Sequence, residues 1–173
     1  MNNQSVNIKK LALTGIFAAI AVVGSTFSFP VFGSKCAPVQ HLVNVLCAVF
    51  LGPGWGLAAA FIASVIRNMT GLGTLLAFPG SMCGALLAGL LYKQFKVLPA
   101  AWIGEVFGTA VIGGILAYPI ASMVMGNPNA ALFTFVVPFL ISTAGGTLIA
   151  AAITLALQSR GIIGRLRGQV EQG

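Results

Sequence analysis

Long apolar runs separated by short polar breaks dominate the chain. The runs predict six membrane-spanning helices at residues 11–32, 39–51, 55–66, 75–92, 100–125 and 131–158. At 1.5 Å per residue, the first run reaches about 33 Å, enough to cross a bilayer core of about 30 Å. The second and third runs are shorter and meet at Gly52-Pro53-Gly54, so they predict a short or tilted antiparallel pair. The pattern predicts an all-α, polytopic membrane protein with a single integral membrane domain, residues 1–173.

Composition strengthens this interpretation. Hydrophobic residues make up 58% of the 173 residues and charged residues only 6%, whereas a soluble domain of this length needs far more charge. The net charge of +7 is compatible with nucleic-acid binding, but the basic residues lie at the ends of apolar runs. That distribution is typical of membrane orientation. We therefore expect no nucleic-acid partner. No cleavable signal peptide is expected either, because the first apolar run is too long.

The basic residues also predict an orientation. Seven of the nine lie on the side of both predicted termini, namely Lys9, Lys10, Lys93, Lys96, Arg160, Arg165 and Arg167. Lys35 and Arg67 lie on the opposite side. Because cytoplasmic loops carry the excess of basic residues, both termini are expected in the cytoplasm of a multi-pass plasma-membrane protein.

Polar side chains gather at the predicted outer end of the second span. Gln40, His41 and Asn44 are spaced so that Gln40 and Asn44 share one helix face with His41 beside them. They are candidates for binding a small polar group from outside, and the alternative is that they fix helix packing. A single histidine excludes a multi-histidine metal site, and no metal site is expected. Cys36, Cys47 and Cys83 form no CxxC pair and are interpreted as free thiols.

Two further polar residues open the outer loop after the third span. Arg67 supplies permanent planar donors, and Asn68 follows it. The alternative for Arg67 is an anchor at the lipid headgroups. Phe78, before Pro79, and Tyr118, before Pro119, are candidates for stacking on a flat ligand, and the alternative for Tyr118 is a packed core residue. Glu105 lies six residues into the fifth span. It either contacts a ligand or a base, or it sits at the interface, where it reaches toward water or caps a neighbouring helix.

Motif absences favour binding over catalysis. The chain contains no GxxxxGK[ST], no GxSxG and no HExxH, and one histidine serves few hydrolytic mechanisms. We therefore predict a protein that is not an enzyme and needs no cofactor. On the first span, Gly15-xxx-Ala19 lies beside Thr14-xxx-Ala18, and such small-residue stripes allow another helix to approach closely. Gly15, Ala18 and Ala19 are therefore candidate partner-docking residues.

The whole pattern resembles a substrate-binding (S) component of an energy-coupling-factor vitamin transporter, and more closely the ThiW type. The resemblance rests on the blocks Pro38–Asn44, Leu51-Gly52-Pro53, Arg67–Thr74, Ala77–Ser81, Gly84–Tyr92, Gly104-Glu105 and Ala117-Tyr118-Pro119. It covers roughly residues 10–156, and the central block is the most specific. The first-span stripe departs from the alanine-only form of the general motif.

The resemblance implies a function and partners. The chain would capture the thiamine precursor 4-methyl-5-(2-hydroxyethyl)thiazole at the outer side of the membrane. It would dock through its first helix onto a membrane coupling (T) subunit driven by two cytoplasmic ATPase subunits. Three alternatives stay open: an S component for another precursor such as the thiamine pyrimidine, a membrane-embedded enzyme using Glu105 or His41, and a purely structural subunit. The enzyme alternative predicts that these two side chains meet in one pocket.

Overall fold

The computed structural model describes residues 3–32 and 34–171 and is built from helices. They are α1 (Asn3–Gly24), α2 (Pro38–Phe50), α3 (Pro53–Met69), α4 (Ala77–Phe95), α5 (Leu98–Phe107), α6 (Gly114–Pro119), α7 (Val136–Ser159) and α8 (Ile162–Glu171). Two π-helical segments, Gly108–Gly113 and Ile120–Val124, flank α6 and make one helical run with α5. A short antiparallel hairpin, β1 (Phe29–Val31) and β2 (Ser34–Cys36), joins α1 to α2.

The membrane prediction is confirmed in its general form. The described chain has three helices that are long and apolar enough to cross a bilayer, at Ile8–Phe27, Leu98–Val124 and Val136–Ser159. The helix at Pro38–Phe50 is apolar but shorter. The protein is therefore an all-α membrane protein, and the number of six crossings stays a prediction.

The first predicted span ends earlier than its apolar run. Helix α1 ends at Gly24, a 3₁₀ turn follows at Ser25–Phe27, and the strands Phe29–Val31 and Ser34–Cys36 form the hairpin. The predicted end at residue 32 is therefore wrong. Pro30 lacks a backbone N–H and biases the preceding residue toward extended backbone, so the apolar segment continues as a strand. The last predicted span likewise begins later, at Val136, because residues 132–135 form turns.

Two tight turns on one side of the bundle connect four helices. Leu51 and Gly52 join α2 to α3, and Gly52 has a φ of 86°, which a residue with a side chain rarely adopts. Pro53 then starts α3 at a position where its missing N–H costs nothing. Lys96 and Val97 join α4 to α5. Connections this short make the joined helices antiparallel neighbours.

Glycines bring α4 and the α5 run into close contact. A Cβ atom at Gly108 would lie 2.6 Å from the carbonyl oxygen of Cys83, and one at Gly104 would lie 2.7 Å from the Cα of Ala88. Only backbone fills these positions, so the two helices approach as closely as small residues permit. This contact fixes the height at which Glu105, between the two glycines, faces the rest of the bundle.

Candidate functional site

The first turns of α2 bury three polar side chains in the bundle. Pro38 begins the helix, and the exposed fractions of Gln40, His41 and Asn44 are 2%, 7% and 1%. Because α2 has only 13 residues, it is about 20 Å long, and its first turn lies below the hairpin rather than at the end of a full span. The polar cluster that the sequence predicts therefore exists, and its side chains point into the interior of the bundle.

A chain of hydrogen bonds links a buried arginine to a buried glutamate. The Nη1 atom of Arg67 donates to Oε1 of Gln40 at 3.0 Å, and Nε2 of Gln40 donates to Oδ1 of Asn44 at 3.3 Å. Asn44 then donates from Nδ2 to Oε1 of Glu105 at 2.9 Å. Arg67 is 3% exposed and Glu105 is fully buried. One positive and one negative charge are thus connected through two amides, which is how buried charges are tolerated.

Glu105 is the centre of the network. Besides Asn44, its Oε1 atom accepts a hydrogen bond from Oγ1 of Thr109 at 3.1 Å and lies 2.8 Å from Nδ1 of His41. The other carboxylate oxygen, Oε2, has no hydrogen-bond partner in the described part of the chain. It lies against Gly84, where a Cβ atom would approach it to 2.7 Å. Thr109 lies in a π-helical segment, and such segments often occur at functional sites.

His41 connects this carboxylate to a serine on α7. Its Nε2 atom lies 3.0 Å from Oγ of Ser142, and that oxygen accepts the backbone N–H of Ala37 at 2.9 Å. With its hydrogen on Nδ1, His41 donates to Glu105 and accepts from the Ser142 hydroxyl, so both ring nitrogens have a partner. The order serine–histidine–carboxylate is also that of a hydrolase triad. The alternative that Glu105 reaches toward water is wrong, because the side chain is buried and bonded.

A cavity lies directly above this network and under the hairpin. We call it the polar cavity, and its lining includes Lys35, Gln40, His41, Arg67, Ser81, Thr109, Phe139 and Ser142. The centres of water-sized molecules can occupy about 30 Å³ of it. Arg67, one of the lining residues, uses only Nη1 in its described side-chain hydrogen bonds, and its buried Nε atom has no partner among the described residues. A charged residue of the cavity wall therefore holds a donor without a partner.

Three candidates from the sequence lie elsewhere. Nδ2 of Asn68 donates to the carbonyl oxygens of Ser64 and Thr74, which fastens the α3–α4 loop. Phe78 packs on Phe61 with ring centroids 5.9 Å apart. Tyr118 is half-buried, and neither it nor Phe78 lines the polar cavity. The structure therefore does not bring these three side chains to the site, and Phe139 supplies the aromatic ring there.

The structure also divides the first-helix stripe. Gly15 and Ala19 are exposed, whereas Ala18 is 2% exposed and packs in a core cluster with Val43 and Ala59. Ala18 is therefore not available to a docking partner, because its place on the helix, about 100° around the axis from residue 19, turns it toward the core.

Several site residues were not predicted. Ser81, Thr109 and Ser142 are hydroxyl residues inside apolar runs, and each lines the polar cavity. Their signal in the sequence was weak, since serine and threonine are common in membrane helices, where they bond to backbone or to neighbouring helices. Lys35 was assigned only to an outer loop, and the hairpin carries it over the site.

Comparison with known families identifies the chain. The sequence model of the family described as thiamine-precursor transporter protein (ThiW) matches residues 11–160. The chain belongs to the ThiW family. No curated protein matches it. The matched range includes every residue of the network, the polar cavity and the exposed stripe of α1. As a member of the ThiW family, the chain belongs to a family of membrane transporters for thiamine precursors, and the resemblance seen in the sequence is confirmed.

Proposed function

We propose that this ThiW protein is the substrate-binding (S) component of an ATP-driven energy-coupling-factor importer. Its substrate in this proposal is 4-methyl-5-(2-hydroxyethyl)thiazole, taken up from outside. The protein crosses the plasma membrane six times with both termini in the cytoplasm. The observation that supports this most directly is the polar cavity, which is lined in part by the buried Arg67, whose Nε atom has no partner in the described part of the chain.

The charge balance of the site favours a neutral ligand. Arg67 and Glu105 offset each other through Gln40 and Asn44, so the buried network carries no large net charge. The remaining cation of the cavity wall, Lys35, is exposed to water. Adding an anion or a cation would place an uncompensated charge in a region of low dielectric, which is costly. A thiazole alcohol carries no charge and has one ring nitrogen that accepts a hydrogen bond.

The groups around the polar cavity match such a ligand. In the proposed pose, Nε of Arg67 donates to the ring nitrogen, since a buried unpaired donor gains most from an acceptor. The ring packs against Phe139, and the hydroxyl reaches Ser81 or Thr109. A site for a drug-sized ligand usually measures about 300–1,000 Å³. Binding a ring therefore requires the cover, formed by the hairpin and the α3–α4 loop, to move outward.

An exposed hydrogen bond joins the two segments of the cover, the hairpin and the α3–α4 loop. Nζ of Lys35 in β2 donates to the carbonyl oxygen of Gly71 at 3.1 Å in an exposed position, which joins the hairpin to the α3–α4 loop. An exposed hydrogen bond of this kind contributes little, because water replaces it readily. The proposed route of the ligand is between these two segments, from the outer side.

The proposed partners follow from the family resemblance and from α1. A membrane coupling subunit, driven by two ATPase subunits, would lie against the exposed Gly15 and Ala19. Ala18 does not belong to this surface. Small exposed residues on a helix let a second helix approach closely, which is the physical basis of the docking proposal.

Isothermal titration of the purified protein tests the substrate. Hydroxyethylthiazole, the thiamine pyrimidine and intact thiamine are compared under the same conditions. We expect the thiazole to bind and the pyrimidine to bind at least tenfold more weakly. Tighter binding of the pyrimidine would establish the alternative S-component function, and binding of none of the three would contradict the proposal.

One observation favours a second candidate, a membrane-embedded hydrolase. Ser142, His41 and Glu105 are connected at 3.0 Å and 2.8 Å in the order of a catalytic triad. Against it, the Ser142 oxygen accepts the N–H of Ala37, and the serine lies inside a regular helix rather than on a strained turn that exposes the nucleophile. We therefore assign the three residues to ligand binding and cavity architecture.

A further inference from the structure

A second cavity lies at the opposite end of the bundle from the polar cavity. Lys10 of α1, Lys93 of α4, Lys96 of the α4–α5 turn and Arg167 of α8 line it, together with Trp55 and Tyr92. We call it the basic cavity. The centres of water-sized molecules can occupy about 410 Å³ of it, which is the size of a small-molecule site. Four cationic residues from separate elements thus converge on one concave surface.

The lysines of the basic cavity have no partner within the described chain. Lys10, Lys93 and Lys96 form no ion pair or side-chain hydrogen bond with any described residue. By contrast, Lys9, next to Lys10, donates to the carbonyl oxygen of Gln169 at 3.1 Å. Arg167 lies over the Tyr92 ring, 5.5 Å from its centroid, and forms one wall. Three like charges gathered without a counter-ion repel each other, and an anion offsets that repulsion.

The start of α3 adds to the positive potential. The segment that lines the basic cavity here is Gly52-Pro53-Gly54-Trp55. Its N-cap residue is Gly52, which has no side chain with which to cap the first N–H groups of α3. The first N–H groups of this 17-residue helix and its dipole therefore favour negative charge at the same place as the lysines. Helix end and side chains act in the same direction.

The backbone conformation of Lys96 is a separate observation that bears on the basic cavity. Its φ is +56°, a left-handed conformation that glycine adopts without cost and lysine does not. A helix ending of this type normally selects glycine or asparagine. A lysine at this position loses backbone stability, and its side chain contributes charge to the basic cavity in return.

We propose that the basic cavity binds the headgroup of an anionic phospholipid. Its walls are mixed: beside the cations lie apolar groups of Val49, Phe50 and Leu51 as well as the Trp55 ring, an amphipathic side chain typical of the membrane interface. A lipid offers both an anionic phosphate and apolar chains, whereas a free anion leaves the apolar walls unused. Basic pockets between membrane helices bind anionic headgroups by the same physics. The proposal does not depend on the substrate of the polar cavity.

Lipid retention by the purified full-length protein tests the proposal. Phosphatidylglycerol and phosphatidylcholine with identical acyl chains are added in detergent, and bound lipid is measured by native mass spectrometry together with the midpoint of thermal unfolding, Tm. We expect phosphatidylglycerol to be retained and to raise Tm, and phosphatidylcholine to do neither. Equal retention of the two lipids overturns the proposal. So does inorganic phosphate alone reproducing the full rise in Tm, because the site would then be one for free anions.

Variants separate the site from general surface charge. K93Q/K96Q should weaken phosphatidylglycerol binding by about tenfold or more. The matched control R160Q/R165Q removes the same charge from exposed residues outside the basic cavity and should leave binding unchanged. K96G should weaken binding while keeping or raising the lipid-free Tm, since glycine fits the left-handed backbone. Equal losses in the control pair, or unchanged binding in both cavity variants, contradict the proposal.

Discussion

The Nδ1 atom of His41 lies 2.8 Å from Oε1 of Glu105, although 64 residues separate the two along the chain. The histidine comes from the first turns of the short α2 and the glutamate from the second half of α5. Their contact joins the two helices at the floor of the polar cavity. Since both side chains are buried, neither is free to reorient toward water, and the groups above them keep fixed positions.

Replacing Arg67 should abolish the preference for a ligand with a ring nitrogen over the same ligand without it. The wild-type protein is expected to bind hydroxyethylthiazole about tenfold or more tighter than the matching thiophene, because a hydrogen bond from a charged donor is worth about 1.5–3 kcal/mol. In R67M this ratio should fall toward one. Titration calorimetry measures the affinity of each variant for both ligands. A loss of protein stability lowers the two affinities alike and leaves their ratio unchanged. R160M serves as the control and should keep the wild-type ratio; an unchanged ratio in R67M removes Arg67 from the proposed contact.

A methyl group at residue 84 should disturb Glu105. In G84A the new Cβ atom would clash first with Oγ1 of Thr109 and would lie 2.7 Å from Oε2 of Glu105, so both side chains have to move and their hydrogen bond is disturbed. We expect the free energy of unfolding to fall by about 1–3 kcal/mol, the usual cost of overpacking. Ligand affinity should fall as well. Thermal unfolding and titration check both. In the control G145A the added Cβ meets nothing within 4 Å, and no loss is expected.

Ser142 should not behave as a catalytic nucleophile. A fluorophosphonate probe is expected to leave it unmodified, because its oxygen is already bonded to Ala37 and His41. Intact-mass spectrometry of the wild type and S142A measures labelling. S142A should lower the free energy of unfolding by about 1–3 kcal/mol by leaving the partner groups unpaired. Labelling that appears in the wild type and disappears in S142A would instead establish the hydrolase candidate.

Bulky residues on the exposed face of α1 should separate uptake from binding. A Cβ atom added at Gly15 would meet nothing within 4 Å, so G15L should fold normally and bind ligand with wild-type affinity. Transport of labelled thiazole into cells should be lost, because the coupling subunit cannot approach. A18L is the contrasting variant. Its side chain enters a filled core cluster, so stability and binding should both decline. Loss of binding in G15L would mean that the stripe serves folding.

Cys36 should report the opening of the hairpin. The thiol is 1% exposed and donates to the carbonyl oxygen of Pro138 at 3.4 Å. Burial raises the pKa of the Cys36 thiol, so the reactive thiolate is scarce near neutral pH and labelling should accelerate as pH rises. In a C47A/C83A background, maleimide labelling is expected to be slow, and saturating thiazole should accelerate it, because the cover has to move outward to make room for the ring. An unchanged or lower labelling rate with ligand would contradict this outward movement.

Much of the fold could be predicted because apolar runs and the residues that end or begin helices are visible in short stretches of sequence. The apolar runs located the helices, and Gly52-Pro53 located the α2–α3 turn, since a positive φ and a missing N–H each have a sequence signature. The hairpin was missed because Phe29-Pro30-Val31 continues an apolar run. Apolarity alone does not distinguish a strand from a helix end.

The site was predicted only in part, and the reason is geometric. Gln40, His41 and Asn44 were found because they cluster in sequence. The sequence located Glu105 only as a residue six positions into the fifth span, and its contact with His41 depends on how α2 packs against α5. Asn68 was a plausible ligand contact by position, but its rotation about α3 turns it toward the loop. Sequence separation and helix phase of this kind follow from tertiary packing, which no local pattern contains.

The short α2 also determines what lies between the polar cavity and the far face. Below His41 and Asn44, the same helix continues through Val45, Ala48 and Val49, which are fully or almost fully buried in a tight cluster with Ala88 and Ala101. A molecule in the polar cavity therefore has closely packed protein beneath it along the middle of α2, which separates it from the basic cavity at the last turn of that helix. Inward delivery through the centre would require this plug of small side chains to separate. Release between two helices at the side of the bundle would leave this packed cluster intact. So would reorientation of the whole bundle in the bilayer.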